Sequence, residues 1–349
     1  MAPQPQSVLP SHGQRPSREN TQGVGRGPVE IIAADVGGTH ARIGHIRIAA
    51  DGSHELLDHQ QYACAEHPSL AAILRAFMAR RDAGQTVDAA IAIAGVLDGD
   101  MLINSNLPWP VSLARTQCDA GLQTLRLFND FEALAFAVPH VDPSQAALVC
   151  GEPVAPPDAP VLVLGPGTGL GAALYLPGDP PRVLPSEAGH AALAVGTARE
   201  LDVLRQLLGR WPHVDTDRVL SGPGLVNTYE ALCALDQVLP GLRVPAAVSD
   251  AARSGSDPRA VEALSIFCAL LGSVAGDLAL AFGARRVYLA GGIPARIESI
   301  LRASDFAARF RNKGVLAEHL ARTPVWLVGH GLLGVQGAAL AWAAKRGGP

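Results

Sequence analysis

Asp130 is the residue of this sequence whose type and position best suit acid–base chemistry. It belongs to the run Asn129-Asp130-Phe131, which directly follows the strand-like segment Thr124–Phe128. A carboxylate at the end of a strand beside a cleft can accept the proton of a hydroxyl group while a phosphoryl group is transferred to it. The same residue could instead cap the helix that follows, a frequent role for Asp at a helix start. The local sequence leaves both interpretations open.

Three glycine turns could bind an anion through their backbone N–H groups. The first of them follows the apolar run that begins at Val29. Glycines have no Cβ, so the backbone can come close and consecutive N–H groups can surround phosphate oxygens. The Thr39 hydroxyl adds a donor, whereas Asp35 would repel phosphate unless a cation intervenes and therefore implies Mg²⁺. An ordinary hairpin turn would use the same residues. The predicted phosphate-binding residues here are Ala34, Asp35, Val36, Gly37, Gly38 and Thr39.

The second glycine turn lies in the segment 165–171, where Gly167, Thr168 and Gly169 are the predicted phosphate contacts. Gly167, Gly169 and Ala172 also loosely fit the dinucleotide pattern G-x-G-x-x-A. That alternative needs a helix directly after the glycines, to hold a pyrophosphate at its N-terminus. The sequence continues instead with Ala-Ala-Leu-Tyr-Leu and a proline-rich turn, which predicts a strand. A dinucleotide site is therefore the weaker interpretation.

The third glycine turn is the pair Gly291 and Gly292 after a strand-like segment. Together the three turns resemble two phosphate loops and one adenosine loop. The chain has no G-x-x-x-x-G-K-[ST] sequence, so nucleotide binding by a P-loop is excluded. Lysine occurs only at Lys313 and Lys345, so phosphate charge would have to be neutralised by a metal ion and backbone donors.

A polar cluster around Glu187 and His190 could recognise vicinal hydroxyl groups, because a carboxylate accepts hydrogen bonds and an imidazole can donate them. A solvated polar turn would have the same composition. The Glu-x-x-His spacing also suits metal ligation, but no second ligand cluster completes a metal site. Asn104 and Asp217 are weaker candidates, since Asn104 could form a turn and Asp217 could pair with a nearby arginine.

The pattern of apolar residues divides the chain into two halves, joined by the linker Gly151–Pro160. Each half opens with a strand, a Gly/Thr turn and a second strand, which predicts an internal duplication with a cleft between two lobes. The predicted strands are 29–36, 41–48, 55–62, 88–95 and 124–128, then 161–165, 172–176 and 286–292. The predicted helices are 68–81 and 131–138, then 197–208, 224–235, 257–282 and 334–345.

Length and composition exclude several classes of protein. A chain of 349 residues exceeds the size at which one core usually stops growing, which favours two lobes. The formal charge of -4 and the lack of a basic run argue against nucleic-acid binding. The apolar stretch Leu264–Phe282 contains Ser and Asp residues, so we expect a buried core helix and no membrane association. Five isolated cysteines predict reduced thiols and a cytoplasmic location, and residues 1–28 predict a disordered extension.

These motifs together resemble the bacterial glucokinase family, within the sugar kinase and actin-like ATPase superfamily. They occur in the family's order from residue 29 to the C-terminus, and the ordered series is more specific than any single motif. The matching segments are ADVGGTHAR, NDFEALAFAVP, GPGTGLGAA, SEAGH, RVLSGPGLVNTY and LAGGI. Cysteine-containing zinc motifs characterise the related ROK kinases, and the absence of cysteine from residues 191–200 disfavours that branch.

The resemblance implies an α/β, two-lobed actin-like ATPase (ribonuclease H-like) fold with a central cleft. It implies a small lobe at 29–139, completed by a C-terminal helix at 331–349, and a large lobe at 140–330. It also implies a homodimer. ATP and Mg²⁺ would bind at the glycine turns, and Asp130 would be the base for the 6-hydroxyl of glucose. The residues implied to bind the other hydroxyls are Asn104, Asn129, Glu187, His190 and Asp217.

Some positions depart from the family pattern. Asp217 stands where Glu is usual, Ser186 and Ala188 replace glycines, and His40 replaces Asn. The shorter Asp217 side chain bears on sugar contact and on the strictness of glucose selection. The predicted function is phosphoryl transfer from ATP to glucose. The alternatives are a kinase for mannose, glucosamine or an N-acetyl sugar, and a non-catalytic sugar-sensing protein.

Overall fold

The computed structural model describes residues 27–81, 87–103, 107–329 and 331–346. In chain order the strands are β1 (Val29–Val36), β2 (His40–Ile48), β3 (His54–Ala63), β4 (Asp88–Ile93), β5 (Val96–Asp98), β6 (Met101–Ile103), β7 (Val111–Ser112), β8 (Thr124–Phe128), β9 (Ala146–Cys150), β10 (Val161–Pro166), β11 (Leu170–Leu176), β12 (Arg182–Ser186), β13 (Arg286–Leu289) and β14 (Val325–Val328). The α-helices are α1 (Leu70–Met78), α2 (Leu113–Ala120), α3 (Asp130–Ala137), α4 (Ala198–Leu208), α5 (Gly222–Leu235), α6 (Pro245–Ser254), α7 (Pro258–Ala281), α8 (Gly292–Arg296), α9 (Glu298–Ala303), α10 (Phe306–Arg311), α11 (Ala317–Arg322) and α12 (Leu333–Lys345).

The first large sheet has the strand order β3-β2-β1-β4-β8. The first three strands form an antiparallel meander, whereas β1, β4 and β8 run parallel. The continuous apolar run of β1 fits a strand that is covered on both faces, and its last six residues are buried. One face carries α1, and the other carries α3 and the C-terminal helix α12.

The second large sheet repeats this plan, with the order β12-β11-β10-β13-β14-β9. β10, β11 and β12 form the meander, and β10, β13 and β14 run parallel. Both sheets therefore begin with a three-stranded antiparallel unit followed by parallel strands, as the recurrence in the sequence predicts. A small third sheet, β5-β6-β7, follows β4.

Helix α7 is the longest helix of the second half and packs against α5, α6 and α10. Within the described residues it is the one helix long and apolar enough to cross a membrane, but 72% of its most apolar window is buried inside the protein. Burial of this kind is expected of a core helix in a folded domain. The prediction of a core helix at this segment is confirmed.

Helix α3 joins the two halves. It packs against α12 in the first half and against β10, β11 and β12 in the second. The approach to α12 is close, because a Cβ on Gly337 would overlap the backbone of Ala133. The predicted closing helix therefore returns to the first sheet and supports α3. The proposed lobe boundaries at residues 139 and 330 stay a prediction.

Candidate active site

Sheet topology brings the predicted functional segments to the same kind of edge in both halves. In the first sheet the carboxyl ends of the parallel strands β1 and β8 lead into Gly37 and Asn129, respectively. In the second sheet β10 leads into Gly167, and its parallel neighbour β13 leads into Gly291. Ligands of open α/β sheets bind at the carboxyl edge of parallel strands. The edges therefore gather residues that lie far apart in the sequence.

The first hairpin connects β1 to β2 through Gly37–His40. Its turn is closed by the Gly37 N–H, which donates to the His40 carbonyl oxygen at 3.0 Å. All four turn residues are exposed, so the backbone at the tip can be approached by a ligand. The turn is anchored from behind, because the Cys64 N–H donates to the Thr39 carbonyl oxygen at 2.9 Å. The hairpin predicted from the sequence is confirmed.

Asp35 lies just inside this hairpin and is only 6% exposed. Its Oδ2 atom lies 3.4 Å from Nη1 of Arg42, the residue directly opposite on β2. The carboxylate also faces the first turn of α12, since a Cβ on Gly334 would lie 2.7 Å from its Cγ atom. A negative charge is favourable at a helix N-terminus. The guanidinium group of Arg42 thus lies beside the Asp35 carboxylate, for which the sequence predicted a metal cation as the partner.

Asp130 is the first residue of α3, and the residue before it performs the capping role. Oδ1 of Asn129 accepts hydrogen bonds from the N–H groups of Phe131 and Glu132, at 2.9 and 3.1 Å. Oδ1 of Asp130 lies 3.0 Å from the Phe131 nitrogen. The helix start therefore has an Asn cap, and the alternative in which Asp130 caps the helix is not needed to explain its position. Asp130 is neither fully buried nor fully exposed.

Phe131 connects this helix start to the second hairpin, which we define as Gly165–Gly171. A Cβ on Gly171 would overlap the Phe131 ring, and one on Gly165 would lie 3.3 Å from its Cζ atom. These two glycines face each other across β10 and β11. Their missing side chains create the space for the ring. The glycines at the two ends of the second hairpin therefore allow Phe131 to pack against the second sheet. This packing fixes the position of the neighbouring Asp130 relative to that sheet.

The tip of the second hairpin contains the predicted phosphate contacts Gly167, Thr168 and Gly169. The Gly167 N–H donates to the Gly169 carbonyl oxygen at 2.7 Å, which closes a tight turn. The residues after it form strand β11, not a helix. The helix N-terminus that a dinucleotide fold would use after its glycine motif is replaced by a strand, in agreement with the sequence-based argument.

In the third turn, Gly291 has a backbone conformation that disfavours any residue with a side chain. Its φ of +98° lies in the region that L-residues rarely adopt. A Cβ would also lie 2.9 Å from the Pro166 carbonyl oxygen of the second hairpin. The Ala290 N–H donates to the Leu164 carbonyl oxygen at 2.9 Å. The Gly291-Gly292 turn and the second hairpin therefore form one continuous edge.

The predicted polyol-binding residues Glu187 and His190 lie on one short turn, Glu187–His190, which we call the polar turn. Both side chains are exposed, and the His190 N–H donates to the Glu187 carbonyl oxygen at 3.0 Å. Nδ1 of His190 lies 3.6 Å from Oδ2 of Asp215, which is 9% exposed. The imidazole thus lies beside a buried carboxylate.

Asp217 lies between the polar turn and the second hairpin. Its Oδ1 atom accepts a hydrogen bond from the Leu170 N–H. A Cβ on Gly169 would lie 2.9 Å from this oxygen, and one on Gly189 would lie 3.3 Å from it. Burial raises the pKa of the Asp217 carboxyl above its ordinary value, and the Leu170 N–H opposes that effect. The carboxylate bonds the backbone of the hairpin, whereas the sequence had suggested an arginine as its alternative partner.

The two lysines of the chain are used elsewhere. Lys313 lies 2.7 Å from Asp277, and Lys345 lies 2.5 Å from Glu132, which ties α12 to α3. Within the described ranges no group of three or more His, Cys, Asp or Glu side chains could hold a metal ion. The remaining candidate, Asn104, lies outside the described residues.

Sequence reasoning missed residues that hold the site together. Arg42 could have been found, because a turn over Gly38 and Thr39 places residues 35 and 42 opposite each other. Thr216 had no such signal, although its buried hydroxyl lies 2.9 Å from the Gly189 carbonyl oxygen. The Phe131 contact likewise joins segments that are 34 to 40 positions apart. Only the tertiary structure reveals such contacts.

Comparison with known proteins places these features in a family. The family profile described as Glucokinase matches residues 32–345. The glucokinase-like protein of Xylella fastidiosa strain Temecula1 is 45% identical over 321 residues, covering 90% of this chain and 95% of that protein. The glucokinase of Nitrobacter hamburgensis is 39% identical over 302 residues, covering 85% and 92% of the two chains. The crystal structure of a glucokinase from an Antarctic psychrotroph superposes with a TM-score of 0.79 at 33% identity, covering 90% of this chain and 98% of that one.

The two-lobed α/β fold, the glycine hairpins at equivalent edges and the match over most of the chain all agree with the resemblance found in the sequence. The chain belongs to the glucokinase family of ATP-dependent sugar kinases.

Proposed function

We propose that this protein transfers the γ-phosphoryl group of ATP to the 6-hydroxyl of glucose, with Asp130 as the general base. The observation that carries the proposal is the contact between Phe131 and the second hairpin, which fixes the start of α3 against a predicted phosphate loop. A base must lie within hydrogen-bonding reach of the proton it removes, so its position relative to the phosphoryl donor decides whether it can act. Family membership supports both the reaction class and the substrates.

Glucose would lie between the start of α3 and the polar turn. Glu187 would accept hydrogen bonds from its hydroxyl groups, and His190, which lies beside Asp215, would donate or accept one. Asn129 uses Oδ1 as the helix cap, so it would contact the sugar through its Nδ2 donor. Oδ2 of Asp217 is the oxygen of that carboxylate that would face the sugar, because Oδ1 accepts the Leu170 N–H. Asn104 stays a predicted sugar contact.

ATP would bind across the two glycine hairpins, with the Gly291-Gly292 turn near its adenosine. Backbone N–H groups at the hairpin tips and the hydroxyls of Thr39 and Thr168 would contact phosphate oxygens, where they stabilise charge that spreads during transfer. Arg42 would contribute positive charge near Asp35. Backbone donors of this kind require no lysine.

The residues present fit Mg²⁺ bound in its usual manner with nucleotides, through one or two carboxylates and the substrate phosphates. Asp35 is the carboxylate that would hold it, directly or through water. When bound, Mg²⁺ neutralises phosphate charge. The chain's own contribution is to orient the 6-hydroxyl, accept its proton on the Asp130 carboxylate and exclude water when the lobes close.

Replacement of Asp130 tests this mechanism. We expect Asp130→Asn and Asp130→Ala to bind glucose with nearly unchanged Kd, while kcat falls by about 10²- to 10⁴-fold because general base catalysis is lost. Binding is measured by calorimetry and turnover by coupled ADP release. The matched control Asp142→Asn alters an exposed loop aspartate that caps a short turn. A near-normal kcat in the Asp130 variants would remove the mechanism.

A panel of hexoses with ATP and Mg²⁺ tests the substrate. We expect kcat/KM for glucose to exceed the values for mannose, glucosamine and N-acetylated sugars, since specificity is the ratio of these constants. ADP release with none of the sugars would favour a non-catalytic sugar sensor. A homodimer, a cytoplasmic location and the absence of nucleic-acid and membrane partners stay predictions.

A further inference from the structure

One short segment, Asp215–Gly222, contacts both the polar turn and the second hairpin, and we call it the bridging segment. It lies between α4 and α5 in the sequence and ends in the first residue of α5. Its backbone pairs with the strand-like residues after the polar turn, through the Thr216 N–H and the Ala191 carbonyl oxygen at 2.9 Å. The segment thus lies in direct contact with two loops that the proposed function assigns to different substrates.

Three consecutive side chains divide these contacts between the two loops. Asp215 lies 3.6 Å from His190. The buried Thr216 hydroxyl lies 3.0 and 2.9 Å from the carbonyl oxygens of Ala188 and Gly189 in the polar turn. The next residue, Asp217, instead accepts the Leu170 N–H of the second hairpin. Adjacent residues of one segment therefore hold different loops.

The hairpin end of the segment has a second attachment. The Gly222 N–H donates to the Gly167 carbonyl oxygen at 2.8 Å, and the Ser221 hydroxyl donates to the Asp217 carbonyl oxygen at 2.6 Å. Leu170 and Gly167 lie at either side of the predicted phosphate contacts Thr168 and Gly169. Movement of the bridging segment would therefore move the hairpin tip as a unit.

The space around Asp217 is shaped for this carboxylate. Neither Gly169 nor Gly189 leaves room for a Cβ at ordinary contact distance from its Oδ1 atom, with distances of 2.9 and 3.3 Å. Burial raises the pKa of the Asp217 carboxyl, because loss of hydration disfavours its charged form. Carboxyl groups whose pKa is shifted by burial and by a specific partner are often functional.

We propose that Asp217, besides its proposed sugar contact through Oδ2, positions Leu170 through Oδ1 and thereby couples hexose binding at the polar turn to nucleotide binding at the second hairpin. The proposal rests on the proposed function, because it takes the hexose and ATP as the ligands of the two loops. A hexose that orders the polar turn would hold Thr216 and Asp217 in place and, through Leu170, the hairpin tip. Linkage requires the effect to be reciprocal, so ATP would strengthen hexose binding by the same factor.

Calorimetric titration of glucose with and without AMPPNP and Mg²⁺ measures this coupling as the ratio of the two Kd values. For the unmodified protein we expect a ratio within the range of about 5 to 150 that is typical of coupled sites. Asp217→Ala should lower the ratio severalfold, because no side chain then accepts the Leu170 N–H and the Gly222–Gly167 hydrogen bond alone joins the segment to the hairpin. Asp217→Asn keeps an acceptor oxygen and should restore part of the coupling.

The matched control is Asp142→Ala. Asp142 also accepts a backbone N–H, from Ser144 at 2.8 Å, in an exposed loop outside the polar turn, the bridging segment and the second hairpin. Its coupling ratio should equal that of the unmodified protein. If Asp217→Ala destabilises the fold, Asp217→Asn carries the test, with thermal unfolding measured for each variant.

Equal ratios in the unmodified protein and in the Asp217 variants would overturn the proposal, as would a ratio of 1 in the unmodified protein. Turnover is measured on the same preparations. Absence of glucose phosphorylation by the unmodified protein would refute the proposed function. Normal turnover of the unmodified protein, together with an unchanged coupling ratio in the Asp217 variants, would refute only the role of Asp217.

Discussion

The contact between Gly171 and Phe131 gives a quantitative test of how the active site is held together. A Cβ on Gly171 would lie 2.7 Å from Phe131 Cγ and would overlap two further ring atoms. Carbon atoms in ordinary contact are about 3.5–4.0 Å apart, so the nearest ring atoms, Cδ2 and Cε2, must retreat by about 1.5 Å. Gly171 lies in β11 with φ outside the positive region, so alanine creates no backbone strain there. The whole effect of Gly171→Ala should come from the displaced ring.

Overpacking of this size lowers the free energy of unfolding by about 1–3 kcal/mol. Because Phe131 directly follows Asp130, the carboxylate should shift as well, and misplacement by about 1 Å can reduce turnover by about 10²-fold. We therefore expect Gly171→Ala to lower kcat far more than its stability loss explains. Urea unfolding measures the first effect, and coupled ADP release at saturating glucose and ATP measures the second.

Removing the ring should relieve the clash. In the double variant Gly171→Ala with Phe131→Ala, the free-energy changes should be less than additive, because the two residues are in contact. Gly241→Ala is the control, since a Cβ there meets no atom within 4 Å. Strictly additive changes, or normal kcat in Gly171→Ala, would refute the argument that these glycines position Asp130.

Other consequences concern stability and thiol chemistry. Nη1 of Arg309 lies 2.6 Å from Oε1 of Glu200, which is 3% exposed, so Arg309→Ala should lower the free energy of unfolding in urea by about 3–5 kcal/mol. The double variant Arg309→Met with Glu200→Gln should lose less stability, because it leaves no unpaired buried charge, and equal losses in the two variants would refute this explanation. Burial, together with the hydrogen bond to Asp257, raises the pKa of Tyr229 to about 12. The folded state therefore binds more protons than the unfolded state above about pH 10, so the free energy of unfolding should fall as pH rises from about 10 to about 12. An equally steep fall in Tyr229→Phe would contradict this prediction. Cys118 is exposed, whereas burial raises the pKa of the Cys268 thiol to about 12, so a disulfide reagent at pH 8 should label Cys118 rapidly and Cys268 only after unfolding.

Much of the site could be predicted because its chemistry is local. Glycine-rich turns between two apolar runs indicate hairpins, and the pairing of Asp35 with Arg42 follows from the length of one turn. The start of α3 is equally local, since Asn129 caps a helix whose N–H groups lie two and three residues further on. Apolar periodicity likewise predicted the strands β1 and β10 and the core helix α7. Interactions between neighbours in the sequence leave a pattern in the sequence.

Other features arise only when distant segments pack together. Nothing near Gly171 in the sequence indicates that its missing side chain makes room for Phe131, forty residues earlier. The sequence around Asp217 does not indicate that its partner is the Leu170 N–H, because every residue except proline has a backbone N–H and residue type therefore does not mark the donor. The sequence alone therefore determined which residues could do the chemistry and how each turn is built. The tertiary structure decided which of them meet, because long-range packing depends on shape and burial that no local pattern records.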